Sequence, residues 1–144
     1  MTQGWLIDTN VLSELMRDAP APAVMVWFAN HVSHSTFICS ITQAEILSGI
    51  ALLPEGKRRN ALADAATALF ETDMAGRSLY FDAAAARHCA LIRAQRQRAG
   101  LPISTEDAQI AAIALTADLH LVTRNTKDFA DIEGLTVVNP WQDH

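Results

Sequence analysis

Five polar positions spread along the chain carry most of its chemical potential: Asp8, Glu45, Asp107, Asn125 and Asp128. Asp8 ends the short apolar run Trp5-Leu6-Ile7, while Asn125 and Asp128 follow His120-Leu121-Val122-Thr123. Glu45 and Asp107 sit near the starts of two helical patterns. In a parallel α/β sheet, strand ends and many helix N-termini open toward one edge, where ligands gather. Residues from these four segments can therefore meet there. Two carboxylates about 5 Å apart repel by roughly 3 kcal/mol at an effective dielectric of 20. Three or four of them need protons or a cation. Oxygen donors without Cys or His suit Mg²⁺ or Mn²⁺ rather than zinc. Such an ion polarises a phosphoryl oxygen and lowers the pKa of bound water, and two ions can stabilise both oxygens of an in-line displacement.

Each residue also has an ordinary explanation. Asp8 can cap a helix beginning near Asn10. Glu45 can close a capping box with Thr42, as Gln43 can with Ser40. Asp107 can simply favour the positive end of a helix dipole, and Asp128 can be a surface turn residue. Other chemistries find no support. There is no G-x-x-x-x-G-K-[ST] loop, no G-x-G-x-x-G fingerprint and no Ser-His-Asp or Cys-His signature. A receiver-type phosphoacceptor needs an Asp where the second strand ends in Cys39-Ser40, and a D-x-D phosphatase needs one where Asn10 stands.

The elements that must position these residues alternate. Trp5–Ile7, Thr36–Cys39, Ser78–Phe81, His120–Thr123 and Leu135–Val138 read as short strands. Helical patterns fill the intervals: one after Asp8, one over Val24–Val32, one from about Ser40 to Leu53, and one from Lys57 to Phe70. Another is capped by Asp82 and stops at Gly100, and a last one starts at Ser104-Thr105 with an apolar stripe through Ile110, Ile113 and Ala117. This alternation predicts a three-layer α/β/α domain around a mainly parallel sheet.

The 144 residues, 50% hydrophobic, predict one domain over 1–144 with a real core. The longest apolar run, Ala23 to Ala29, is far short of a membrane span, and Met1-Thr2-Gln3-Gly4 does not open a signal peptide. An intracellular, cytoplasmic protein is expected. Cys39 and Cys89 read as buried free thiols, and His31 and His34 as solvent-facing. Net charge is −5, which argues against a polycation gripping nucleic acid along its length. Two basic clusters, Lys57-Arg58-Arg59 and Arg87/Arg93/Arg96/Arg98, divide evenly between solvated helix faces and phosphate steering.

Five segments in order, Leu6-Ile7-Asp8-Thr9-Asn10-Val11-Leu12-Ser13-Glu14, Ser40-Ile41-Thr42-Gln43-Ala44-Glu45-Ile46, Glu106-Asp107-Ala108-Gln109-Ile110-Ala111-Ala112, Thr123-Arg124-Asn125-Thr126-Lys127-Asp128-Phe129 and Val138-Asn139-Pro140-Trp141, span nearly the whole chain. Together they resemble the PIN-domain ribonucleases of the VapC toxin family, especially its FitB-like branch. The resemblance implies a PIN fold and Mg²⁺- or Mn²⁺-dependent hydrolysis of RNA. It implies a toxin role, restrained by a cognate antitoxin with its own DNA-binding domain, and assembly as a homodimer and with that antitoxin. It places Asp8, Glu45 and Asp107 at the family's acidic, metal-holding positions, with Thr9, Asn10 and Thr123 supporting them. The fourth position falls to Asn125 or Asp128. Asn125 can ligate through its carbonyl or hold a metal-bound water; Asn125 in the site with Asp128 at its rim is the favoured arrangement. The other reading is a PIN-like binding module that holds a DNA-binding partner without chemistry, against which the intact acids argue.

Overall fold

Short apolar runs become five strands: β1 (Trp5–Ile7), β2 (Thr36–Cys39), β3 (Ser78–Leu79), β4 (His120–Val122) and β5 (Val137–Val138). The computed structural model describes residues 4–31 and 35–142. All strand pairs are parallel, in the order β3-β2-β1-β4-β5. Parallel strands need crossovers, and six helices make them: α1 (Thr9–Leu15), α2 (Pro22–Ala29), α3 (Ser40–Ala51), α4 (Lys57–Ala68), α5 (Ala83–Arg98) and α6 (Thr105–Thr116).

Period-two alternation sends neighbouring strand residues to opposite faces. Leu6 and Leu121 pack with Ala85, Cys89 and Ile92 of α5 and with the Ala108–Ala114 stretch of α6. Ile7 and Val122 pack with Val11 and Leu12 of α1, Trp27 of α2, Ile46 of α3 and Ala66 of α4. Two cores thus sandwich the sheet, as expected of an α/β/α domain. Alanines in α6 let it approach both the sheet and α5. The chain also comes very close at Gly4, where a Cβ would stand 2.0 Å from the Ser35 carbonyl oxygen. Only glycine fits between the ends of β1 and β2.

Several boundaries differ from the sequence expectation. α2 starts at Pro22, whose fixed φ suits a first helical position, and is capped at Asn30. The helix expected to reach Val32 is already over at Asn30 and His31, while Val32 itself, like His34 and Met1-Thr2-Gln3, lies outside the described residues. His31 is not simply solvent-facing: it is half-buried and stacks on Trp27 with ring centroids 3.8 Å apart. α4 ends at Ala68 and passes into a π turn over Leu69–Asp73. Neither capping box at the start of α3 forms. β2 runs directly into the helix, Cys39 takes the cap position without a side-chain bond, and Thr42, Gln43 and Glu45 fall inside the helix. Cys39 and Cys89 are buried and free, as expected.

Candidate active site

The strand order reverses at β1, with β2 and β3 on one side and β4 and β5 on the other. Such a switch point opens a crevice beyond the carboxyl ends of the strands. Asp8 stands at that point. Its backbone N–H still bonds the Val122 carbonyl of β4 at 2.9 Å, and its side chain caps α1 by accepting from Thr9 N at 2.8 Å. The cap expectation is therefore met, yet the cap uses only Oδ1. Oδ2 accepts from Thr123 Oγ1 at 2.8 Å and from Asn10 Nδ2 at 3.2 Å.

Thr123 is the hub of this arrangement. Its hydroxyl donates to Asp8 and accepts from Asn10 Nδ2 at 3.2 Å and Asn125 N at 3.1 Å. One donor and two acceptor lone pairs are then all in use. Asn10 Oδ1 accepts from Arg124 N at 3.0 Å, tying α1 to the segment after β4. Thr9 Oγ1 donates to Glu45 Oε1 at 2.9 Å and lies 3.3 Å from Thr42 Oγ1, so it fixes the second-turn carboxylate of α3 beside the start of α1. Thr9, Asn10 and Thr123 thus all hydrogen-bond to Asp8, and Glu45 is held by Thr9, not by a capping box.

Asp107 lies in the first turn of α6. Ser104 Oγ caps that helix by accepting from Asp107 N at 3.1 Å. The carboxylate is half-buried, and the Ser104 hydroxyl lies close enough to favour its charged form. Asn125 precedes a 3₁₀ turn over Thr126–Phe129 that carries Asp128. Asp128 does not cap this turn; its backbone N–H bonds the Asn125 carbonyl at 3.1 Å, and its carboxylate accepts no bond among the described residues.

The electrostatics join these acids. Asp8 is only 4% exposed, and burial pushes its carboxyl from 3.8 to about 6. The bonds from Thr123 and Thr9 pull it back down, while the charges of Asp107 and Glu45 push it further up. Asp107 is also raised, first by burial, then by the charges of Asp128, Glu45 and Glu106. Among the described residues no basic side chain pairs with Asp8, Glu45, Asp107 or Asp128; the ion pair seen there is Arg17–Glu14. Nor do three His, Cys, Asp or Glu side chains among them form a ready-made metal-binding group. The acids are near enough to feel one another's charge without forming a closed cage. Their hard oxygen donors, unneutralised by Lys or Arg, suit a divalent cation such as Mg²⁺ or Mn²⁺.

One structural contact beside these acids has no counterpart in the sequence expectation. Arg96 belongs neither to a solvated face nor to a steering patch, because it is buried. Its Nε donates to Leu101 O at 2.7 Å, and Nη1 donates to Asp128 O at 3.0 Å and Ala130 O at 3.1 Å. It thus clamps the turn bearing Asp128 to the loop that leads into α6 and Asp107. Its burial as the third of four arginines, Arg87, Arg93, Arg96 and Arg98, left no readable signal. Lys57 and Arg58, by contrast, line an open groove of about 960 Å³ with Thr9, Glu45 and Ile46.

A five-stranded parallel sheet with carboxylates gathered at its switch point defines a class. The PIN domain family matches residues 5–135, and the chain belongs to that family. Within it, the chain is 36% identical over 137 residues to VapC ribonuclease Y4jK of Sinorhizobium fredii, covering 95% of this chain and 97% of that one. It is 37% identical over 140 residues to toxin FitB of Neisseria gonorrhoeae, covering 96% and 99%. The structure of FitAB bound to an IR36 DNA fragment superposes with a TM-score of 0.89 at 34% identity, covering 97% of both chains.

Proposed function

We propose that this chain is a ribonuclease that hydrolyses RNA phosphodiester bonds with Mg²⁺ or Mn²⁺, and the toxin of a toxin–antitoxin pair. The observation that carries the reading is the buried Asp8 carboxylate facing the charges of Asp107 and Glu45 with no basic partner. Asp8, Glu45 and Asp107 would hold the cation, with Asn125 and Asp128 at the edge. When bound, the ion supplies charge stabilisation at the phosphate and a more acidic water. The chain's own residues do the positioning. Thr123 and Thr9 fix the two oxygens of Asp8, Thr9 fixes Glu45, and Ser104 sets the turn that presents Asp107.

The relatives named VapC ribonuclease and toxin FitB, and the FitAB assembly on DNA, support the toxin reading and an antitoxin partner with a DNA-binding domain. We place its action in the cytoplasm, as a homodimer that also assembles with the antitoxin, with the whole chain acting as one PIN domain. No helix among the described residues is long and apolar enough to cross a membrane. The test is RNA cleavage by the purified protein. Cleavage with Mn²⁺ that stops with EDTA and in Asp107→Asn supports the proposal. Intact RNA under every metal condition, with antitoxin binding kept, would make the chain a binding scaffold.

A further inference from the structure

The closing motif Val138-Asn139-Pro140-Trp141 takes no part in the site described so far. Its Trp141 ring lies under Arg124, with the guanidinium carbon 4.6 Å from the ring centroid. Trp141 is half-buried and held in place: its N–H donates to Asn139 Oδ1 at 2.9 Å, and it packs on the core beside Val138. Arg124 is fixed from the other side as well, through its own N–H to Asn10 Oδ1 at 3.0 Å. It stands between Thr123, which bonds Asp8, and Asn125.

The guanidinium itself is exposed and makes no hydrogen bond or ion pair among the described residues. Glu14 lies within its electrostatic reach, but that carboxylate is taken by both Arg17 contacts and by Ala21 N. An arginine stacked on an aromatic face keeps its planar fork of donors oriented and free for a phosphate. The acids around it repel a polyanion, so a strand entering this crevice needs a fixed cation at the rim.

We propose that Arg124, seated on Trp141, grips a backbone phosphate of the RNA strand next to the bond to be cut. The proposal rests on the ribonuclease reading. Its ligand chemistry is a single-stranded phosphodiester, recognised without regard to base.

The test uses the full chain in EDTA, which prevents cleavage, and a fluorescein-labelled single-stranded RNA of mixed sequence followed by anisotropy as KCl rises. Losing one phosphate contact on a single strand lowers the salt slope by about 0.7. A fourfold rise in salt then costs the wild type about 2.6 times more affinity than Arg124→Met. Arg124→Lys restores the slope with weaker binding, and Trp141→Leu keeps the slope while weakening binding. In cleavage assays with Mn²⁺, Arg124→Met raises KM. A folded Arg124→Met protein with wild-type slope and KM overturns the proposal, also if it has lost antitoxin binding, which would assign this rim to the protein partner. A wild-type chain that neither binds nor cleaves RNA removes the ribonuclease reading itself, a distinct outcome.

Discussion

Replacing Asp8 with asparagine should stabilise the protein at the pH where it is active while abolishing its chemistry. The carboxyl moves from 3.8 to about 6 on folding. At 1.36 kcal/mol per unit, keeping Asp8 ionised in the folded state costs about 3 kcal/mol. Because the folded acid holds its proton more tightly than the unfolded one, the contribution of Asp8 to stability is most favourable below pH 3.8, falls as pH rises, and carries the full cost above about pH 6. Asparagine removes the charge and keeps the Oδ1 acceptor for Thr9 N, but it offers an amide where Thr123 Oγ1 and Asn10 Nδ2 now donate; the Thr123 hydroxyl can turn to accept, which leaves Asn10 Nδ2 as the donor without its partner. That mismatch offsets about 1–2 kcal/mol. The net gain at pH 8 is roughly 1–2 kcal/mol, or about 3–7 °C in Tm for a chain of this size. The assay is thermal unfolding of wild type and Asp8→Asn in EDTA from pH 4.5 to 8.5. The gap should open as pH rises and close toward the acid end. Adding Mn²⁺ should raise the wild-type Tm and leave the variant's unchanged, by mass action on the folded state. A variant that melts lower than wild type at pH 8, or a gap independent of pH, would refute the electrostatic argument.

Other expectations are as specific. Arg96→Met should destabilise by about 2–4 kcal/mol, since three carbonyls lose their bonds to a buried guanidinium; denaturant unfolding reads this, and Arg96→Lys should recover part. Ser104→Ala should cost about 1 kcal/mol as a lost N-cap and slow cleavage, since the cap fixes the backbone of Asp107; melts paired with single-turnover rates check both. Asp128→Asn should change stability by less than about 0.5 kcal/mol, because its carboxylate accepts no bond among the described residues, so any fall in cleavage reports on the site alone. Asn125→Asp should stay active and bind Mn²⁺ more tightly in calorimetry; a folded but dead variant would put this segment outside the site.

Much of this was legible in the sequence because local rules and tertiary demands agreed. Asp8 ends an apolar run and precedes a helical pattern, so its place at a strand end and its capping role both follow from a few residues. Asp82 and Ser104 behave as caps for the same reason. The failures have physical causes. The spacing Thr42-x-x-Glu45 fits a capping box, but β2 feeds straight into α3, so the cap position fell on Cys39 and freed Glu45 for Thr9. Arg96 shares its composition with exposed neighbours. Only the approach of the Asp128 turn to that face of α5 buries it, and no helical period encodes a partner from 32 residues away. The Arg124–Trp141 stack likewise joins a strand end to the chain's last turn. Both ends of that contact were visible as motifs, but their pairing was not.

We propose that Asp8, Glu45 and Asp107 together hold a hard cation, and anomalous diffraction from crystals grown with Mn²⁺ measures this most directly. A peak is expected in the crevice beyond β1 and β4, with carboxylate oxygens of Asp8 and Asp107 at about 2.0–2.3 Å, and it should be lost in Asp107→Asn crystals. No peak there at saturating Mn²⁺, or one coordinated away from Asp8, would contradict it.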